Sequence, residues 1–355
     1  MENLIQDWCE RVRAAASSGA SLAIRGGSSK AFYGEPEQGQ ALAVGAYQGI
    51  VAYQATELVV TARAGTPLSQ LAAVLAAQGQ WLAFEPPHFG PTATVGGMLA
   101  TGLSGPRRQA VGAVRDFVLG VKVLNGLGEV LSFGGQVMKN VAGYDVARLM
   151  VGSLGTLGVV LEASLKVLPR PVVEKSLRLA VDEATALTWL NQWGGRPLPI
   201  SASSWHDGVL TLRLSGAAAA VAAAQRKLAG DVLTEAEAAS FWLAVREQTH
   251  VFFSADEALW RLSLPSTAPP QNLGPTLIEW GGSQRWLRGG DPVLIRAAAT
   301  QAGGHATLFR GDEGLKRSSG VFQPLTLPLA RIHRRLKTAF DPHQVFNRGR
   351  LYRDF

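Results

Sequence analysis

The sequence contains one cysteine, Cys9. A lone thiol closes no internal disulfide and cannot ligate an iron–sulfur cluster, which needs several thiolates. Any iron–sulfur relay that this chain serves must therefore lie on another chain. Histidine is also scarce, with six residues scattered along the chain. No apolar run reaches the roughly 20 residues of a membrane-spanning helix. The opening stretch MENLIQDWCERVR carries acids and a tryptophan, whereas a secretory leader begins basic and continues apolar. These absences predict a cytoplasmic protein. Charged residues make up only 17% and hydrophobic residues 47%, a balance that suits a folded core and excludes disorder. At 355 residues the chain exceeds one ordinary domain, which predicts two structural units.

The net charge of +7 is unevenly spread. From Arg331 to Phe355, seven basic residues (Arg331, Arg334, Arg335, Lys337, Arg348, Arg350 and Arg353) oppose only Asp341 and Asp354. The cluster reads equally as a solvated helix face with its tail, or as a surface for an acidic partner, an anionic cofactor or a membrane. No recognised nucleic-acid motif accompanies it, which sets nucleic acid aside.

What the N-terminal half has instead is glycine, gathered in three loops. The first, Arg25-Gly26-Gly27-Ser28-Ser29-Lys30, follows the apolar segment Ser21 to Ile24. Its successive backbone N–H groups can turn inward as an anion nest, flanked by the charges of Arg25 and Lys30. A side chain at Gly27 is expected to face the bound phosphates, so that a carboxylate there repels them. The second loop runs from Pro91 to Gly102 through Thr94-Val95-Gly96-Gly97. The third holds Gly152, Gly155 and Gly158, spaced every third residue, and only glycine frees the backbone at so many neighbouring points. The G-x-G-x-x-G and P-loop spacings are both absent. A large phosphate-bearing cofactor is the expectation.

These loops, in this order from about Ser21 to Pro169, resemble the flavin-binding domain of the vanillyl-alcohol oxidase (p-cresol methylhydroxylase) family. Within it, the chain is similar to the smaller FAD-binding subunits of bacterial glycolate oxidases (glycolate dehydrogenases). The segment Phe340 to Arg350, FDPHQVFNRGR, resembles the family's closing D-P…N-P-G-R signature. The resemblance implies FAD as cofactor. It assigns Arg25, Gly26, Gly27, Ser28, Ser29 and Lys30 to the pyrophosphate, and Thr94, Gly96 and Gly97 to the flavin. Gly143, Tyr144, Gly152, Gly155 and Leu157 fall to the adenosine and isoalloxazine sides, and Pro86 and Asn347 complete the set. Leu154 stands where family members commonly carry glutamate. Many relatives tether the flavin through a histidine, often in the first loop. Here that loop reads Ser28-Ser29, and His88 follows Pro86-Pro87 as part of a rigid turn, so noncovalent FAD is expected.

Local signals give the organisation. A helix is predicted over 2–19 and strands over 21–24, 42–44, 49–54 and 57–62. Thr66-Pro67-Leu68 opens an amphipathic helix ended by Gly79. Asn125-Gly126-Leu127-Gly128 marks a hairpin between 117–124 and 129–133. A short helix over 145–150 and a strand over 159–167 flank the third loop. Pro169-Arg170-Pro171 marks a boundary. Beyond it, strands alternate with longer helices in a ferredoxin-like pattern. The expected class is α+β, a two-part FAD-binding domain of the p-cresol methylhydroxylase type with a ferredoxin-like cap. The expected divisions are 1–170 for the FAD domain, 171–312 for the cap, and 313–355 for a segment, with a helix over 328–340, that returns to the FAD domain.

The cap offers little chemistry. Related 2-hydroxyacid dehydrogenases carry a histidine-rich motif resembling G-H-x-G-D-G-N-L-H, whereas Gly303 to Asp312 retains one histidine. His305 and Arg310 are the best catalytic pair available, and no metal site is expected. The leading reading is an FAD-binding subunit of a glycolate (2-hydroxyacid) dehydrogenase complex. The resemblance implies a larger homologous flavin subunit carrying the hydroxyacid site and an iron–sulfur subunit, with peripheral association at the inner face of the cytoplasmic membrane through the complex. A self-sufficient FAD-dependent alcohol or sugar oxidoreductase and a non-catalytic flavin-binding scaffold are the competing readings.

Overall fold

The structure, a computed structural model, describes residues 1–135 and 144–355. Helix α1 (Glu2–Ser18) turns Trp8, Cys9, Val12 and Ala15 inward and stops at Gly19, whose φ of 71° suits glycine. Strands β1 (Leu22–Arg25) and β2 (Gln40–Ala43) then pair in parallel, and Phe346, from the far end of the chain, bridges to Leu22. Next come β3 (Ile50–Gln54), β4 (Val59–Arg63), α2 (Leu68–Ala76), β5 (Gln80–Trp81), α3 (Val95–Thr101), α4 (Arg108–Val111) and α5 (Val114–Phe117). The half closes with β6 (Val118–Leu124), β7 (Val130–Gly134), α6 (Val146–Leu149), β8 (Val159–Lys166) and β9 (Leu168–Pro169). An antiparallel sheet in the order β3-β4-β8-β6-β7 forms the scaffold. The β6–β7 hairpin is shaped by Asn125, whose Oδ1 accepts from the amides of Leu127 and Glu129. The apolar stripe of α2 (Leu68, Leu71, Leu75) packs with Met98 and Leu99 of α3 against this sheet.

The second half contains β10 (Val173–Ala180), α7 (Glu183–Gly194), β11 (Ile200–His206), β12 (Val209–Gly216), α8 (Ala218–Leu228), β13 (Asp231–Val232) and α9 (Glu235–Glu247). It continues through β14 (Leu259–Ser263), β15 (Thr276–Glu279), β16 (Gln284–Arg288), α10 (Pro292–Gln301), β17 (His305–Arg310), α11 (Glu313–Ser319) and α12 (Leu327–Phe340). Its strands make one antiparallel sheet, β13-β10-β12-β11-β15-β16-β14-β17. The ferredoxin-like layout, with the fourth strand outermost and then the first, third and second, occurs twice in that order. β10-α7-β11-β12-α8-β13 is the first unit. The second, β14-β15-β16-α10-β17, lacks a helix between its first two strands, and the units join through their second strands, β11 against β15. The α+β class with a ferredoxin-like cap is therefore present, and the ferredoxin-like unit is duplicated.

Several elements carry no clear sequence signal, β11, β16, α3 and α11 among them. β11 reads ISASSWH, without the period-two alternation that marks a half-buried strand. Two of its buried serines are held by hydrogen bonds: Ser201 Oγ donates to the Arg213 carbonyl at 3.2 Å, and Ser203 Oγ to Gln109 at 2.7 Å. β16, α3 and α11 are short. In α3 the glycines were read as loop, yet Thr94 caps a helix, its Oγ1 accepting from the Gly97 amide.

The two halves meet through an apolar cluster in which Tyr33, Leu103 and Leu154 pack with Phe252, Trp286 and Phe309. Beside it, Glu85 is buried with two cations from opposite sides. Arg213 on β12 reaches its carboxylate at 2.8 Å, and the Arg107 amide donates to it at 2.9 Å. Burial alone raises the Glu85 carboxyl, but Arg213 and Arg107 outweigh it and hold the group below the usual range.

Candidate functional site

The three glycine loops converge on one open cleft, about 890 Å³ of empty space with the solvent at its mouth included. Residues 25–30 form one wall, leaving β1 with Ser28 in the left-handed conformation at φ 55°. The amides of Gly27, Ser28, Ser29 and Lys30 have no acceptor among the described residues. A run of free amides around a left-handed residue is an anion-binding concavity.

Gly27 is required by loop-to-loop contact. An ideal Cβ there falls 1.5 Å from the Thr92 carbonyl oxygen, and Thr92 Oγ1 donates back to the Gly27 carbonyl at 2.6 Å. The first two loops are held together by this hydroxyl-to-carbonyl bond, with their backbones in close approach. This corrects the expected direction of a side chain at position 27, which aims at the second loop and not into the cleft. Gly96 is constrained in the same way. Its amide bonds to the Ala64 carbonyl at 2.7 Å, and a Cβ would sit 2.9 Å from that of Ala64.

The third loop is held from the C-terminus. Asn347 donates through Nδ2 to the Leu154 carbonyl at 2.6 Å and accepts from the Ile24 amide at 2.8 Å, tying the third loop to β1. Gly155, at φ 72°, leaves room for this amide, since a Cβ would stand 2.7 Å from Nδ2. Arg350 turns the other way and donates to the carbonyls of Ala31 at 2.6 Å, Tyr33 at 2.7 Å and Glu35. Beneath both, the buried Lys337 ammonium donates to Asp341 at 2.7 Å and to the carbonyls of Thr156 and Phe346. Asp341 in turn accepts from the amides of Val345 and Phe346. The closing signature is a clamp on the loops, and Arg350 and Lys337 are consumed by it.

Charge around the cleft is modest. Arg25 pairs with Glu37 at 3.0 Å, and both line the cleft, so its charge is partly cancelled. Lys30 has no ion pair among the described residues. Its Nζ donates to the His88 carbonyl at 3.2 Å, and burial pulls the ammonium down to about 8 against the opposing effect of Glu247. Glu247, at the end of α9, accepts from the amides of His88 and Phe89 and so fixes that segment from the cap side.

The cleft therefore gathers Arg25, Gly26, Gly27, Ser28, Ser29, Lys30, Thr94, Gly96, Gly97, Gly155 and Asn347. It does not gather the rest of the expected set. Leu157 is buried in the core under the five-stranded sheet, and Pro86 is buried beside Glu85. The Gly152 amide bonds to the Leu99 carbonyl in the turn that precedes the lining residues. Tyr144 is 96% exposed and lies off the cleft, while Gly143 lies outside the described residues. His88 is not on the cleft either. Tyr33, Ser153, Leu154 and Arg350 line it without having been expected. Of these, Arg350 carried a sequence signal as the last residue of the closing signature, and Leu154 as the position where family members commonly carry glutamate.

His305 and Arg310 do not form a pair. They occupy opposite ends of β17, five residues or about 16 Å apart along an extended strand. Burial, then Arg261, lowers the His305 imidazole. Arg310 lies over the rings of Phe32 at 4.6 Å and Phe89 at 5.3 Å, and burial brings it down to about 10. Among the described residues no three His, Cys, Asp or Glu side chains gather in one place.

The sequence profile of the family described as "FAD binding domain" matches residues 5–134. Over 345 residues the chain is 49% identical to glycolate oxidase subunit GlcE of Escherichia coli (strain K12), covering 97% of this chain and 96% of that protein. Glycolate oxidase subunit GlcD of Bacillus subtilis (strain 168) matches at 44% over 84 residues, 24% of this chain and 18% of its own. Among solved structures, alkyldihydroxyacetonephosphate synthase superposes with a TM-score of 0.67 at 14% identity, covering 96% of this chain and 75% of that one, a likeness of fold.

Proposed function

Because the chain belongs to the family of glycolate oxidase FAD-binding subunits, we propose that it serves as the FAD-binding subunit of a glycolate (2-hydroxyacid) dehydrogenase complex that oxidises glycolate to glyoxylate. Relatedness along the whole length, joined to the glycine-walled cleft, carries this reading. The chain fits FAD by the chemistry of its donors. The free amides of residues 27–30 receive the pyrophosphate, with Lys30 adding charge. Thr94, Gly96, Gly97 and Gly155 line the walls that face the flat and sugar portions, and Asn347 with Arg350 fixes those walls. Bound FAD supplies a two-electron acceptor; the protein binds it, orients it and covers it. The FAD is held noncovalently, since no histidine lines the cleft among the described residues. Residues 1–170 act as the FAD domain, 171–312 as the cap, and 313–355 as the returning clamp.

The relatives named as glycolate oxidase subunits, GlcE and GlcD, support a multi-subunit assembly. The larger flavin subunit supplies the hydroxyacid site, and an iron–sulfur subunit takes the electrons. Hydride removal from a 2-hydroxyacid needs a base for the hydroxyl proton and a cation for the carboxylate, placed together. The separation of His305 from Arg310 favours placing them on the companion chain. The complex associates with the membrane peripherally, and no helix among the described residues is long and apolar enough to cross one. The deciding experiment is glycolate-dependent dye reduction by the isolated, FAD-replete chain. No turnover alone and turnover on assembly is the expected result. An isolated rate near that of the complex would refute the division of labour.

A further inference from the structure

Helix α12 is the surface layer directly behind the cofactor cleft. Its inner face holds Lys337, which bonds to the Thr156 carbonyl of the third loop, and His333, whose ring meets Tyr352 at 5.8 Å. An aromatic series continues from Tyr352 through Phe322 to Tyr33, which lines the cleft, at spacings of 5.9 and 5.6 Å. The outer face is different. The sequence LPLARIHRRLKTAF carries no acid, and Leu327, Arg331 and Arg335 follow one another at four-residue spacing along a single ridge. Leu327 is 76% exposed and Ile332, beside the ridge, 52%. Arg331 and Arg335 make no hydrogen bond or ion pair among the described residues, whereas Arg334 is held by Asp354 and Arg353 by Glu35.

We propose that this ridge is where an acidic face of the companion glycolate oxidase subunit docks. The proposal rests on the complex reading above. Two unpaired guanidiniums beside exposed aliphatics match a protein interface, where arginine is enriched and meets opposite charge on the partner. A membrane-surface helix presents the opposite order, with a broad apolar face sinking into the lipid and cations at its edges. On α12 the cations occupy the middle of the outer face. The location adds a functional reason, because a partner seated here contacts the element that braces the third loop and the clamp.

The test co-expresses the tagged chain with the companion flavin subunit and measures the recovery of that subunit and the flavin content. Arg331→Glu with Arg335→Glu is expected to keep wild-type flavin content and thermal stability, since neither side chain has a partner to lose. Recovery of the companion is expected to fall about tenfold or more, and less for the neutral Arg331→Gln with Arg335→Gln. Raising the salt should weaken wild-type recovery in the same direction. The matched reversal Arg226→Glu with Lys227→Glu, exposed at the end of α8, should change nothing. Unchanged recovery for the α12 variant, or an equal loss for the α8 variant, overturns the proposal. Sedimentation of the wild-type chain with phosphatidylserine vesicles, abolished by the α12 reversal, overturns it in favour of a membrane surface. A colourless wild-type chain that still recovers its companion through α12 upholds the docking site and refutes the FAD reading instead.

Discussion

Gly27→Ala isolates the contact on which the cleft depends. One methyl group is added at a position where an ideal Cβ stands 1.5 Å from the Thr92 carbonyl oxygen. Relieving that overlap to about 3.0 Å, below which real Cβ contacts are essentially never found, moves one loop by about 1.5 Å. The Thr92–Gly27 hydrogen bond of 2.6 Å is then broken, and the amides of residues 27–29 shift by a similar amount. An amide 2.9 Å from a phosphate oxygen would end well beyond hydrogen-bonding range. Each such charge-assisted bond contributes about 1.5–3 kcal/mol, so losing two weakens FAD binding by about 3–6 kcal/mol, or about 10²- to 10⁴-fold in Kd. The assay is fluorescence titration of FAD into apoprotein, with circular dichroism and thermal melting as controls for folding. Gly194→Ala, with no atom within 4 Å of its Cβ, is the neutral comparison. Wild-type affinity in Gly27→Ala would show that the phosphates bind elsewhere.

Three further outcomes follow from the same geometry. Acid or heat should release all flavin as free FAD, and fluorescence left on the denatured polypeptide in a gel would contradict the noncovalent assignment. Arg213→Ala leaves Glu85 buried without its nearest cation and should cost about 3–5 kcal/mol in urea unfolding; a loss under about 1 kcal/mol would mean that Arg107 suffices. The third concerns Glu279, a fully buried carboxyl with no ion pair among the described residues, hydrogen-bonded by Trp286 and Gln284, which burial raises to about 7. Because the folded state holds this proton up to about pH 7 and the unfolded state releases it near 4.5, stability should fall as pH rises between those values. Glu279→Gln should flatten that segment of the melting curve, and a parallel pH profile for both proteins would count against it.

How much of this was legible in the sequence depends on where each feature's signal lies. The first loop was readable because its residues are consecutive and it is the backbone amides, not side chains, that line the cleft. The hairpin was readable because Asn125 makes its own turn. β11 was not, since its buried serines owe their place to Arg213 and Gln109, distant partners that no periodicity reports. Tyr144 and Leu157 were assigned to the cofactor by position in a motif. The fold turns Leu157 into the core and leaves Tyr144 in solvent, on opposite sides of α6 in the chain. The basic C-terminal cluster looked like one surface, yet Lys337 and Arg350 are spent indoors on carbonyls and a carboxylate. Counting charges along a chain cannot separate cations that build a site from cations that are left to meet a partner.

The clamp explains why those interior cations are placed as they are. Loops that present free amides to a ligand cannot also use those amides to hold themselves together, so their order must come from carbonyls and side chains on the far side. Arg350 takes three carbonyls of the segment that follows the first loop, Lys337 takes one from the third, and Asn347 joins the third loop to β1. Apart from the Ile24 amide, which donates to Asn347, these contacts grip backbone oxygens and leave the amides of residues 27–30 free. A chain ending before residue 337 would keep all three glycine loops and lose every one of these grips. On the proposed reading, removing the last 20 or so residues should weaken FAD binding even though every glycine of the three loops remains.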